Sequence, residues 1–183
     1  ASIAQYLAQH GWQNGRDWGF EVAVPEAVSC ALEGPDQGRK LAEWQAMGLT
    51  RISGKAFPAN ENGKDLFLLM PAGRYGPAFL VTPNFYVLKA YNMSDLYALF
   101  IGHVSDRIAY GSGDFITAWG ALGSLTRGDI ARMQRALEAQ GHDVGGADGL
   151  PGYKTRRSIG RWQDAQSQPS TCFPTSPLKA TLR

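Results

Sequence analysis

The sequence predicts an α+β chain that is mostly helical, with a small sheet in its first half and a small helical module at its end. Three observations predict this. Leu96, Leu99, Phe100, His103, Val104, Arg107 and Ile108 recur at the 3.6-residue period of a buried helix. Near the end, Ile130, Met133 and Leu137 make one apolar face and Ile159 with Trp162 another, on either side of a loop holding Gly145, Gly146, Gly149 and Gly152. Between them and the start lie short apolar or alternating runs bounded by glycine or proline, the pattern of short strands.

Taken in order, Ser2 to His10 reads as a helix with Ile3, Tyr6, Leu7 and His10 on one face, and Gly11 is a natural stop. A helix so close to the first residue suggests a piece of a longer chain. Phe20 to Pro25 alternates like a strand. Arg39 to Met47 is a short helix with Leu41 and Trp44 inward, closed by Gly48, and Leu49 to Ile52 is a further candidate strand. Leu66 to Met70 and Ala78 to Val81 are buried strands separated by a Gly/Pro turn. After the stretch Pro83–Asn92, Ser94 is placed to cap the long helix and Asp95 sits in its first turn, where the helix dipole favours an anion. Gly111 stops that helix, and residues 111–124, with four glycines, have the composition of a linker. Thr126 and Asp129 then form a capping-box pattern, Gly141 ends the helix they open, another runs from Tyr153 to Gln166, and a final turn surrounds Leu178 and Leu182. The division expected is 1–110, a linker at 111–124, and a module at 125–183 of a size that folds alone, though marginally.

Composition narrows the function classes. With 44% hydrophobic and 19% charged residues, a core is affordable and compositional disorder is excluded. The net charge of +2 gives no argument for nucleic acid. Residues 1–124 carry a net −2 and residues 125–183 a net +4, so the mildly basic tail suits an anionic polymer, with a solvated surface as the plain alternative. Cys30 and Cys172 permit one disulfide in an oxidising compartment, and the sequence leaves open whether it forms. No metal-ligand spacing is present, and His10, His103 and His142 lie in unrelated contexts, so a metal site is not expected.

A glycosidic-bond-cleaving enzyme needs a carboxyl group with a raised pKa. Glu21, Glu26, Glu33, Glu43, Glu61 and Glu138 all read as surface charges. No nucleophile elbow or phosphate-binding loop occurs. The best site candidate is the amide and aromatic group Asn84, Phe85, Tyr86, Tyr91 and Asn92. Amides and phenols offer donors and acceptors to sugar hydroxyls and N-acetyl groups, and aromatic faces bury the C–H faces of sugar rings. The alternative is an ordinary strand-to-helix junction, with Phe85 in the core and Asn92 in a turn.

Residues 1 to about 110 resemble the C-terminal half of the catalytic region of family 3 lytic murein transglycosylases, the membrane-bound lytic transglycosylase B type. The matching stretches are Ser2-Ile3-Ala4 to His10-Gly11-Trp12, Trp18 to Val22, Pro83-Asn84-Phe85-Tyr86 to Tyr91-Asn92, and Leu96-Tyr97-Ala98. The tail resembles a three-helix peptidoglycan-binding domain through Met133-Gln134, Leu137, Asp148-Gly149, Gly152, Lys154-Thr155, Ile159 and Trp162-Gln163. The resemblance implies a lysozyme-like fold in the first part. It implies non-hydrolytic cleavage of the β-1,4 bond between N-acetylmuramic acid and N-acetylglucosamine, leaving 1,6-anhydromuramoyl ends, with one glutamic acid as proton donor and then base. That glutamic acid lies upstream of the first matched helix, so this chain is expected to supply one cleft wall, with Tyr91 nearest the chemistry and Asn84, Phe85, Tyr86 and Asn92 lining it. Relatives place a basic residue directly before the Tyr-Asn or Trp-Asn pair; here Ala90 stands there and the charge is at Lys89. In an extended segment that shift of one reverses the side the charge faces.

The expected function is therefore a portion of a periplasmic lytic transglycosylase, a reading that implies no cofactor. Its partners would be peptidoglycan strands and the upstream half of the same enzyme, with no nucleic acid, and with membrane contact only through an anchor outside this sequence. The alternative is a non-catalytic peptidoglycan-binding protein that uses both parts only to hold glycan.

Overall fold

The structure, a computed structural model, describes residues 2–121 and 123–182; Ala1, Leu122 and Arg183, which fall at the ends and in the expected linker, lie outside the described residues. It is α+β with a small sheet, and the chain forms two compact units. One comprises residues 1–25, 35–69 and 79–116, the other residues 26–34, 70–78 and 117–183. The units therefore do not follow the chain linearly. The second takes in two stretches that the sequence assigns to the first part.

The first unit opens with helix α1 (Ile3–Gln9), capped by the Ser2 hydroxyl, which accepts from the Gln5 N–H. Strands β1 (Gly19–Ala23), β2 (Arg39–Lys40), β3 (Thr50–Arg51), β4 (Asp65–Leu69) and β5 (Ala78–Val81) form one sheet in the order β2-β4-β5-β1-β3. The register pairs Leu68 with Leu80 and Val22 with Arg51, both in antiparallel ladders. Helix α2 (Leu41–Ala46) follows β2 and buries Leu41 and Trp44. The side chains of Leu66, Leu68, Phe79, Leu80 and Val81 are fully buried, so the apolar runs at β4 and β5 read correctly as interior strands.

Helix α3 (Pro83–Asn92) departs from the sequence reading, which treated Lys89 to Tyr91 as extended. Thr82 caps the helix by accepting from the Asn84 N–H, and Pro83 at the first helical position has no N–H to leave unpaired. On a helix a shift of one residue rotates a side chain by about 100° rather than reversing it. Helix α4 (Asp95–Tyr110) packs on α3, begins at the Ser94 cap and ends at Gly111 in the left-handed region, φ +64°. The buried face of α4 matches the expected stripe at Leu99 and departs from it elsewhere. Ala98, Leu99 and Gly102 are buried, while Leu96, Phe100 and Ile108 are exposed. The reason is Trp18. Its indole lies so close to Gly102 that a Cβ there would stand 2.7 Å from a ring carbon, and its Nε1 donates to Asp106 Oδ2 at 2.8 Å. Beside Leu99, the small residues Ala98 and Gly102 mark the side that faces the core of Trp18, Leu69, Phe79, Val81, Phe85 and Leu88.

In the second unit, helices α5 (Arg127–Ala139), α6 (Tyr153–Ala165) and α7 (Ser176–Thr181) enclose Met133, Leu137, Val144, Ile159, Trp162, Leu178 and Leu182. The Thr126/Asp129 capping box opens α5 as the sequence predicts. The residues that carry the resemblance here are a framework. Gln134, fully buried, accepts from the Gly149 N–H at 2.7 Å and donates to Thr155 Oγ1 at 2.9 Å, and Thr155 donates to the Val144 carbonyl. One amide thus ties α5, the glycine-rich loop and α6 together.

Residues 26–34 pack on α6 through a 3-10 turn at Cys30–Leu32. Cys30 and Cys172 form a disulfide, which settles what the sequence left open. Gly160 faces both sulfurs, where a side chain would collide with Cys172 Sγ. Two glutamates read as surface charges are buried. Glu33, 0% exposed, accepts from the guanidinium of Arg156 and from the Met70 N–H, while Arg157 donates to its carbonyl oxygen. In the first unit Glu61, also 0% exposed, receives Arg16 on both carboxylate oxygens. A buried carboxylate needs such a partner, and in both cases it lies too far along the chain for local pattern to show it.

Candidate cleft wall

The five candidate residues all sit on α3, and helical geometry divides them. Asn84 and Phe85 face inward and are fully buried. The Asn84 side chain accepts from the Gln13 N–H at 2.7 Å and donates to the Gln13 carbonyl at 2.9 Å and the Arg16 carbonyl at 2.7 Å. It clamps residues 13–16 onto the start of α3, and it presents no atom to a ligand. Phe85 is part of the core beside Trp18. For these two the expected lining role is corrected to a positioning role. Tyr86 is half-buried, edge-on to Phe67 and Phe85.

Tyr91 and Asn92, at the other end of α3, are exposed. Tyr91 is 52% accessible and belongs to an aromatic group drawn from three helices. Tyr6 of α1 meets its ring edge-on with centroids 5.4 Å apart, and Tyr97 of α4 lies nearly parallel to it at 6.5 Å. Tyr6 in turn stacks on His10 at 3.8 Å and donates its hydroxyl to the Ala90 carbonyl, which holds α1 to the end of α3. The sequence placed Tyr6 and His10 on one helix face without joining them to Tyr91. Met93, just past the end of α3, and Leu96 and Phe100 of α4 are exposed as well. Lys89 is ion-paired to Asp95 at 2.6 Å, so its charge is engaged within the chain.

Two acidic groups escaped the sequence reading, which surveyed glutamates alone. Asp106 has its pKa raised above 3.8 chiefly by burial; the Trp18 hydrogen bond opposes the shift, the neighbouring Asp17 adds to it, and His103 opposes it. Asp17 is raised as well, by burial first and then by Glu61, against Arg51. Nothing local in the sequence distinguishes these aspartates from surface ones. Among the described residues, no group of three or more His, Cys, Asp or Glu side chains could hold a metal ion, and no helix is long and apolar enough to cross a membrane.

The first unit is thus a lysozyme-like α+β fold whose helices α1, α3 and α4 bring Tyr6, Tyr91 and Tyr97 together. The chain belongs to the transglycosylase SLT domain family, whose model matches residues 1–106. Its structure is similar to that of SltB3 from Pseudomonas aeruginosa in complex with NAG-anhNAM-pentapeptide, at TM-score 0.85 and 39% identity over 98% of this chain and 48% of that one. The same enzyme in complex with NAG-NAM-pentapeptide matches with the same values. A weaker likeness, TM-score 0.46 and 25% identity over 61% of this chain and 36% of that one, is to the catenated lytic transglycosylase SltB1 from Pseudomonas aeruginosa. The chain thus spans about half the length of SltB3. Comparison with curated proteins gives no match.

Proposed function

We propose that this chain is the C-terminal portion of a membrane-bound lytic transglycosylase B type enzyme, supplying one wall of the glycan cleft and a peptidoglycan-binding module. The observation that carries the reading is the half-exposed Tyr91, framed by Tyr6 and Tyr97 on a surface built by three helices. Aromatic faces of that kind take up the C–H faces of sugar rings, and phenol hydroxyls orient polar groups along them. Tyr86, Tyr91 and Asn92 are the residues assigned to glycan contact, with Asn84 and Phe85 holding α3 in place.

The reaction proposed is cleavage of the MurNAc–GlcNAc bond without water to give 1,6-anhydroMurNAc ends. The proton donor is assigned to a glutamic acid outside this chain. The glutamates support that assignment. Glu33 and Glu61 have their carboxylates committed to arginines, Glu43 caps α2 through the Lys40 N–H, Glu21 accepts from the Ile116 N–H, and Glu26 and Glu138 are exposed. None is the desolvated carboxyl that a general acid requires. The disulfide suits an oxidising compartment, which accords with the periplasm.

Digestion of purified sacculi tests the reading. The chain alone is expected to release no anhydromuropeptides, and release is expected when it is combined with the half of SltB3 that it does not match. An anhydro product series from the chain alone would refute the assignment of the acid. Retention on sacculi without release in the combined sample would favour the non-catalytic binder instead.

A further inference from the structure

The second unit holds an open groove of about 870 Å³ between α5 and α7. Met133 and Leu182, both nearly inaccessible, close its apolar end, and the small side chains of Ala136, Ala180 and Ser176 leave the space unfilled. Its volume falls in the ordinary range for small-molecule sites. The charged groups of the groove are Arg132, Arg135, Lys179 and Asp129. Arg132 and Lys179 both bond the single carboxylate oxygen Asp129 Oδ1, Lys179 at 2.9 Å. Asp129 is held ionised by Lys179 and by the Thr126 cap, its pKa pushed far below 3.8. Two cations are thus positioned around one fixed anion, and Arg135 adds a third, so the groove keeps an excess of positive charge beside an apolar floor.

We propose that this groove binds the free carboxylate end of a short peptide with small alkyl side chains, of the kind carried by peptidoglycan stems. The proposal rests on the reading of this unit as a wall-binding module and assigns the chemistry it recognises. An arginine and a lysine already oriented by Asp129 present N–H groups to a second carboxylate without losing side-chain freedom at the moment of binding. The apolar side chains of Met133, Ala136, Ala180 and Leu182 in its lining offer contact to methyl groups. This differs from the cleft wall, where aromatic rings face the solvent. Among the described basic residues of the tail, Arg156 and Arg157 are engaged by Glu33. The three in the groove belong to the remainder.

Calorimetric titration of the 183-residue chain with diacetyl-Lys-D-Ala-D-Ala and with its C-terminal amide is the test. The free acid has one carboxylate and the amide none. The free acid is expected to bind at least about ten-fold more tightly, the effect of losing a charge-assisted hydrogen bond. Ala180→Phe, which fills the groove and leaves the Asp129 network intact, is expected to abolish binding with an unchanged melting temperature. Lys179→Gln is expected to weaken it. Equal affinity for acid and amide, no binding of either, or full binding by a folded Ala180→Phe variant would overturn the proposal. Sacculus retention measured in parallel separates the two levels. Retention together with any of those results leaves the wall-binding reading standing and removes the carboxylate site, whereas loss of retention by the parent chain removes both.

Discussion

Replacing Glu33 by glutamine leaves Arg156 in the interior of the second unit facing a neutral amide. The side chains of the pair are 0% and 3% exposed, so water does not screen the change. Glutamine keeps an oxygen for the Met70 N–H but loses the charge that receives Arg156 Nε and Nη2. Removing one member of a buried ion pair costs about 3–5 kcal/mol, because the other charge remains buried and uncompensated. Against a total stability of roughly 5–15 kcal/mol, that is a large fraction. With a urea dependence of about 2 kcal/mol per molar, the midpoint should fall by roughly 1.5–2.5 M. Tryptophan fluorescence during urea denaturation reads it, since Trp162 lies in the core of this unit. The double variant Glu33→Gln with Arg156→Met removes the stranded charge and should recover much of the loss. A single-variant shift below about 1 kcal/mol, or no recovery in the double variant, would refute the reasoning.

Two further expectations follow from the first unit. Asp106→Asn keeps an acceptor for Trp18 and removes the charge that burial disfavours. Because the folded-state pKa is raised, the ionised group destabilises the fold at neutral pH, and this penalty disappears as pH falls through the folded value toward 3.8. The variant should melt above the parent at pH 7 with the gap closing in acid; a lower melting temperature at pH 7 contradicts it. In the restored enzyme, Tyr91→Phe should slow turnover about 10- to 150-fold at unchanged stability, if one hydrogen bond to a charged group of roughly 1.5–3 kcal/mol is made in the transition state. Unchanged turnover removes Tyr91 from the chemistry.

Local signals in the sequence were reliable. Ser94 and the Thr126/Asp129 box cap the helices assigned to them, because a cap and its N–H partner are within three residues of each other. Burial over longer separations was not legible. The hydrophobic period along α4 selects Leu99, which is buried, together with Leu96, Phe100 and Ile108, which are exposed, because it carries no sign that Trp18 needs the flat surface of Gly102. Glu33 and Arg156 are 123 positions apart, and nothing near either marks the pair. The same limit divides the candidate site. The residues Asn84 to Asn92 were found as a group, but which of them face solvent depends on α3 being a helix, and the Thr82-Pro83 start that makes it one was passed over. The aromatic partners Tyr6 and Tyr97 come from other helices and became visible only in three dimensions.

The way the second unit is assembled bears on how such a module can be inherited or borrowed. A gene fusion beginning at codon 125 would carry all the residues of the helical core, yet it would omit Glu33, which neutralises Arg156, and Cys30, which pairs with Cys172. The translated product would carry Arg156 without its carboxylate and Cys172 without its disulfide partner, where the parent has both paired. Residues 26–34 and 70–78 would have to travel with the tail for it to arrive whole. Recombination at a single breakpoint cannot deliver that, so this form of the module is bound to the chain in which its parts are interleaved.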